Sequence, residues 1–184
     1  MALFRGFIAI DIATTPHILS LEEDIQKTGA DVKLVEPKNI HITIKFLGDT
    51  DENHINAIEQ SMRESVLGVK PFSITLKGTG VFPNQNYLKV IWIGILDEGH
   101  IKTISQTIDS KLVRLGFKKE NRGFSPHLTI GRVKTAKKKD QLLAVISHNK
   151  ETEFAVQAVQ SLCLKKSELT PQGPVYTTLR EVPL

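Results

Sequence analysis

Cysteine is almost missing from this chain: Cys163 stands alone among 184 residues, so no disulfide can form within it. A lone thiol fits a reducing compartment, and the cytoplasm is the expected location. Its setting, Val159-Gln160-Ser161-Leu162-Cys163-Leu164, alternates like a strand and reads as a buried structural thiol rather than a nucleophile. Long hydrophobic runs are missing too, which excludes a helical membrane span. Met1-Ala2-Leu3-Phe4-Arg5 lacks the charged start and sustained apolar run of a signal peptide. No Gly-, Pro- or Ser-rich linker interrupts the chain, so residues 1–184 are expected to form a single domain. Charge is only mildly one-sided: 24 Lys and Arg against 20 Asp and Glu give +4. The isoelectric point near 9.1 favours a polyanionic partner without requiring one.

What is present is a pattern written twice. His41-Ile42-Thr43-Ile44 returns as His127-Leu128-Thr129-Ile130, 86 positions later (127 − 41). In the first copy Ile40, Ile42, Ile44 and Phe46 alternate with His41, Thr43 and Lys45, as in a strand with one face in a core and the other in a cleft. In the second copy His127 and Thr129 share one face, Leu128 and Ile130 the other. A duplicated fold would bring the two polar pairs together across a groove.

Paired imidazoles suit phosphoryl transfer on a diester such as a 2′,3′-cyclic phosphate. One takes a proton from the attacking water while the other gives one to the departing oxygen, and an ordinary His pKa of about 6.5 lets both forms coexist near neutrality. Threonine hydroxyls and a nearby cation would donate to the non-bridging oxygens. This chemistry needs no metal and no cofactor. A zinc site on His41 and His127 is not expected, since no Cys or carboxylate cluster accompanies either. His17, His54, His100 and His148 have no repeat partner and read as surface residues.

The chain resembles the two-histidine phosphoesterases, and within them the LigT-like RNA 2′,3′-cyclic phosphodiesterases, historically called RNA 2′,5′-ligases. The likeness rests on Arg5-Gly6-Phe7-Ile8-Ala9-Ile10, Pro37-Lys38-Asn39-Ile40-His41-Ile42-Thr43-Ile44 with Phe46-Leu47-Gly48, Gly80-Val81-Phe82-Pro83 leading to Val90-Ile91-Trp92, and Phe124-Ser125-Pro126-His127-Leu128-Thr129-Ile130-Gly131-Arg132. It implies an α+β fold of two interleaved lobes, each an antiparallel sheet backed by helices, with both motifs lining a central cleft. It also implies a cytoplasmic, monomeric, metal-independent enzyme of RNA processing, with transfer RNA among its settings. Such an enzyme opens terminal 2′,3′-cyclic phosphates of RNA to a 2′-phosphate, and some members join RNA ends reversibly through a 2′,5′ linkage. By the same likeness His41 is the proton donor and His127 the proton acceptor, while Thr43, Thr129, Arg132 and Phe46 contact substrate. The residues themselves leave the assignment of acid and base open.

Strand parity complicates two of these. A regular strand puts Arg132 on the side of Leu128 and Ile130, unless Gly131 permits a bulge that re-aims it, and the cost of burying an unpaired guanidinium favours the bulge. Parity sets Phe46 with Ile42 and Ile44, and for this residue the core reading is preferred. Lys45 shares the parity of His41 and so is expected in the groove. Trp92, Phe82 and Tyr87 are candidate stacking platforms, although aromatic residues in strands are more often core. Lys134 and Lys137-Lys138-Lys139 could attract an RNA strand, although such runs are usually solvated loops.

Strands are expected at Phe4–Ile10, Val32–Val35, Ile40–Phe46, Phe72–Leu76, Val81–Phe82, Tyr87–Ile95, Phe124–Val133, Ala155–Leu164 and Val175–Val182. Helices are expected at Thr15–Lys27, Asp51–Leu67, His100–Leu115 and Asp140–His148, from apolar spacings of three and four. Two other functions stay open: a non-catalytic RNA- or nucleotide-binding module, and an enzyme of the same superfamily acting on another cyclic phosphate or on 2′,5′-oligoadenylates. Frequent Lys, Glu and Ile hint at a heat-adapted source.

Overall fold

In the computed structural model, which describes residues 2–120 and 123–184, helices are interspersed among the strands. Their order is β1 (Leu3–Asp11), α1 (Pro16–Lys27), β2 (Val32–Leu34), β3 (His41–Asp51), α2 (Ile55–Ser65), β4 (Phe72–Pro83), β5 (Leu88–Leu96) and α3 (His100–Val113). Next come β6 (His127–Val133), α4 (Lys139–His148), β7 (Glu153–Val159), β8 (Ser161–Thr170) and β9 (Gly173–Pro183). The fold is α+β, with one antiparallel sheet in the order β7-β4-β5-β6-β3-β1-β8-β9 and β2 added beside β6.

Two helices begin where a side chain accepts from an N–H of the first turn. Thr15, in extended conformation, accepts from the Ile18 N–H with Pro16 in the first turn of α1. Asp97 accepts from the Ile101 N–H at the start of α3, at 2.7 Å. Asp51–Leu67 is shorter as a helix than its periodicity suggests. Strand β3 continues to Asp51, whose carboxylate accepts from the Asn53 N–H at 2.9 Å and closes a separate single turn before α2.

The order β1-α1-β3-α2, with β2 set aside, is echoed by β5-α3-β6-α4. Helix α1 follows β1 yet packs with α4 and β7 on the other half of the sheet, while α3 follows β5 yet packs with α2 and β3. One core results, filled by Ile8, Ile42, Ile44, Leu128 and Ile130 from the sheet and by Ile18, Ile58, Met62, Ile104 and Ile108 from the helices. Each such side chain contributes roughly 1.5–3 kcal/mol relative to exposure.

Two expectations about strands are corrected. Phe72–Leu76 and Val81–Phe82 belong to a single strand, β4. Gly78 takes a φ of 72°, which only glycine adopts cheaply, and it directs its N–H to Thr152 O, so the strand passes through a bulge instead of ending. Ala155–Leu164 is two strands, not one. At Gln160 the chain leaves β4's partner β7 and enters β8, which pairs with β1 in the other half of the sheet. Cys163 is buried there, and burial pushes its thiol up to about 11.

Among the described residues, no helix is long and apolar enough to cross a membrane. Glu22 of α1 is 8% exposed, and its Oε1 has no hydrogen-bond partner among the described residues. Burial raises its pKa from 4.5 to about 7. The folded chain therefore holds this proton when the unfolded chain has released it, and stability should decline between pH 4.5 and about 7. The slope is at most about 1.4 kcal/mol per pH unit. Glu22→Gln should remove this decline, so urea unfolding should find the variant more stable than the parent at pH 8 and indistinguishable at pH 4.

Candidate active site

The motif strands β3 and β6 lie side by side, antiparallel, and their ladder has one rung, Ile42 with Leu128. Both apolar side chains are fully buried. The residues flanking them must then project to the opposite face. Antiparallel register sets His41 toward Thr129 and Thr43 toward His127, so the two polar pairs are related by an approximate two-fold axis through the rung.

Each imidazole is held by the carbonyl two residues before it. His41 Nδ1 lies 2.7 Å from Asn39 O, and His127 Nδ1 lies 2.9 Å from Ser125 O. A carbonyl can only accept, so Nδ1 carries the hydrogen in both rings and Nε2 is the nitrogen with the free lone pair in the neutral form. His41 Nε2 sits 3.1 Å from Thr43 Oγ1. With Nε2 bare, the hydroxyl donates to it; once Nε2 is protonated, the hydroxyl accepts.

Both strands then do the same unexpected thing. Lys45 pairs with Ile8 and Thr43 with Ala9, leaving Ile44 extra; Gly131 pairs with Ile91 and Thr129 with Trp92, leaving Ile130 extra. These are β-bulges at equivalent places, and each reverses the parity of the residues after it. Ile44 and Lys45 are both buried, as are Ile130 and Gly131, and the next residue returns to the face of the histidines. Arg132 is therefore exposed on the side of the histidines, within electrostatic reach of His41 and Tyr176. Phe46, its counterpart, is 69% exposed with its ring 6.4 Å from that of Phe7, which corrects the core reading.

The same bulge corrects Lys45. Instead of entering the groove it is 7% exposed, and its ammonium donates to Asp109 of α3 and, at 2.7 Å, to Lys118 O. Asp109 also accepts from the Glu120 N–H at 3.1 Å. The pair thus fastens the first motif strand to the connection that leads into the second. In β6 the equivalent place is Gly131, where a Cβ would come within 2.8 Å of Val32 Cγ1, so strand β2 packs where the lysine would run.

Aromatic rings frame the two imidazoles. Phe7 lies 4.9 Å from His41, and Tyr176 meets it edge-on at 5.3 Å; Phe82 meets His127 edge-on at 5.0 Å and touches Trp92 at 5.3 Å. Tyr87 is not part of this frame; it is 60% exposed beneath the Lys89 ammonium. Desolvation by burial lowers the His41 pKa; the Asn39 carbonyl and Asp11 oppose this, while Lys165 and Arg132 add to it. Asp11 is itself paired with Lys165 at 2.8 Å. Burial also raises the pKa of Tyr176. Lys134, Lys137 and Lys138 are exposed, and Lys139 donates to Asn86 O at 3.2 Å. His17, His54 and His148 are exposed, whereas His100 is half-buried and stacked on Phe72. Among the described residues no cluster of three or more His, Cys, Asp and Glu is arranged for a metal ion.

Sequence reasoning missed Phe7, Tyr176, Asn39 and the Asp11–Lys165 pair. Tyr176 had no local signal, coming from the last strand of the chain. Asn39, next but one to His41, could have been found by asking which carbonyl holds Nδ1.

A model of the 2'-5' RNA ligase superfamily matches residues 20–167, and the chain belongs to that superfamily. The RNA 2',3'-cyclic phosphodiesterase of Methanocaldococcus jannaschii is 42% identical to it over 96% of this chain and 99% of that protein. The RNA 2',3'-cyclic phosphodiesterase of Methanothermobacter thermautotrophicus is 37% identical over 95% and 96%. Among solved structures, a Thermus thermophilus protein matches with a TM-score of 0.76 at 26% identity, covering 98% of this chain and 97% of that one. Escherichia coli LigT in its apo form matches at 0.72 over 100% and 99%; at 21% identity that likeness concerns the fold.

If Lys45 serves the framework, removing one partner should cost more than removing both. Lys45→Ala should destabilise the fold by about 3–5 kcal/mol by leaving Asp109 uncompensated, whereas Lys45→Met with Asp109→Leu should recover most of the loss. Denaturant titration of the single and double variants measures the difference.

Proposed function

We propose that this chain hydrolyses the terminal 2′,3′-cyclic phosphate of RNA to a 2′-phosphate, with His41 as general acid and His127 as general base. The observation that carries the reading is the pair of Nε2 atoms, both fixed by Nδ1–H bonds and set on one face about a two-fold axis. In-line displacement at phosphorus needs one proton acceptor and one proton donor on opposite sides of the reacting atom, and a pair of imidazoles on one face supports that reading.

Water attacks the phosphorus as its proton passes to His127 Nε2. The new P–O bond forms while the bond from phosphorus to the 3′ oxygen breaks, and His41 Nε2 gives its proton to that oxygen. The phosphate stays on the 2′ oxygen. Thr43, Thr129 and Arg132 donate to the non-bridging oxygens, where charge must be held through the transition state. His41 must be an imidazolium in the complex. Burial disfavours that form in the free site, and the negative charge of the bound diester favours it again. Phe46, exposed beside the cleft, offers a face to the terminal base.

The same geometry accepts a 5′ hydroxyl in place of water, which yields a 2′,5′ linkage; the reverse reaction exchanges the roles of the histidines. The names of the relatives and of the superfamily support the substrate class. The positive net charge fits an RNA partner.

An RNA oligonucleotide ending in a 2′,3′-cyclic phosphate, incubated with the protein and EDTA, should give a 2′-phosphate product. His41→Ala and His127→Ala should each lose about 10²- to 10⁴-fold in turnover while folding normally, and Thr43→Ala and Thr129→Ala should lose less. Full activity in either histidine variant would end the acid–base assignment. Tight binding of the RNA with no turnover would show a binding module instead.

A further inference from the structure

His41 and His127 are matched in sequence but not in how they are held. The Ser125 carbonyl that orients His127 belongs to an exposed residue outside regular structure, whose hydroxyl makes no hydrogen bond among the described residues. The Asn39 carbonyl that orients His41 belongs to a residue 5% exposed and fixed at three points. Its N–H donates to Glu36 O at 2.7 Å, closing a single turn over Pro37–Asn39. Its carbonyl accepts from His41 Nδ1 at 2.7 Å. Its side-chain Nδ2 donates to Pro174 O at 3.0 Å, across 135 positions of sequence.

Pro174 stands at the tip of the β8–β9 hairpin, paired with Leu169 and adjoining the tight turn in which Thr170 Oγ1 donates to Gly173 O at 2.8 Å. Two residues further along β9, the Tyr176 ring stands T-shaped to that of His41 at 5.3 Å, while Phe7 packs on the imidazole at 4.9 Å. The hairpin therefore reaches the imidazole twice, directly through Tyr176 and indirectly through Asn39.

We infer that Asn39 is a positioning residue for His41: its side chain, anchored on the carbonyl of Pro174 in the C-terminal hairpin, fixes the peptide whose carbonyl holds the His41 ring in its Nδ1–H form with Nε2 facing the cleft. This rests on the reading of His41 as a proton-transfer group. A peptide held only by its own single turn is free to tilt. A tilt of the carbonyl weakens the bond to Nδ1, admits the other tautomer, and moves Nε2 away from the scissile bond. Nothing equivalent constrains Ser125 among the described residues, so the first motif is the one whose geometry depends on a distant part of the chain.

The test is Asn39→Leu, which fills similar space and removes the donor. Turnover of RNA with a 2′,3′-cyclic phosphate end should drop about 10- to 100-fold, as expected for a misplaced reacting group, with KM within about twofold of the parent. Nitrogen-15 spectra of the imidazoles, recorded without substrate, should show His41 wholly in the Nδ1–H form in the parent and in mixed tautomers in the variant. Unchanged turnover, or lost turnover with the His41 tautomer unchanged, would overturn the inference. Should the leucine variant not fold, Asn39→Asp keeps the shape, lacks the N–H donor, and is judged by the same two signals. Because the spectra need no turnover, they report on Asn39 even if the parent proves inactive on this RNA, an outcome that would count against the proposed function instead.

Discussion

The site depends on one contact: β3 and β6 meet at a single rung, Ile42 against Leu128. Burying both side chains in the same core forces His41, Thr43, His127 and Thr129 onto the opposite face, and antiparallel register crosses the pairs. No loop has to be folded into place to create the polar cluster. It arises from two short alternating segments and the burial of their apolar halves. A slip of one residue in either strand would turn its histidine into the core and its isoleucine or leucine into the cleft.

From that rung outward the strands acquire their second function through matched bulges at Ile44 and Ile130. Without them Phe46 and Arg132 would point into the core; with them an aromatic face and a guanidinium flank the two histidines. Each bulge also leaves an extra buried place, and the copies fill it differently. In β3 Lys45 runs inward to Asp109, whereas in β6 Gly131 makes room for β2. The two histidines differ in their supports: His41 is enclosed by Phe7, Tyr176 and the anchored Asn39 peptide, while His127 rests on Ser125 and Phe82.

The motif strands and long helices were readable from sequence because their signals are local: alternation around His41 and His127, and three-to-four spacing from Ile101 to Leu112. Arg132 was readable because Gly131 announced the irregularity before it. Phe46 and Lys45 were not, because a lysine stands where the second copy has glycine and the alternation from Ile40 to Phe46 looks unbroken. The exchange at Gln160 was hidden for a similar reason, since apolar alternation runs straight through it from β7 into β8. Tyr176 and the Pro174 carbonyl come from the far end of the chain, and only the closed sheet brings them beside His41.

The claim that the two histidines act as an acid–base pair is tested most directly by the pH dependence of kcat/KM for RNA ending in a 2′,3′-cyclic phosphate. Such a pair predicts a bell between about pH 5 and about pH 9, with one limb requiring a protonated group and the other an unprotonated one, both apparent values belonging to the pair. A profile that stays flat across that range would contradict it.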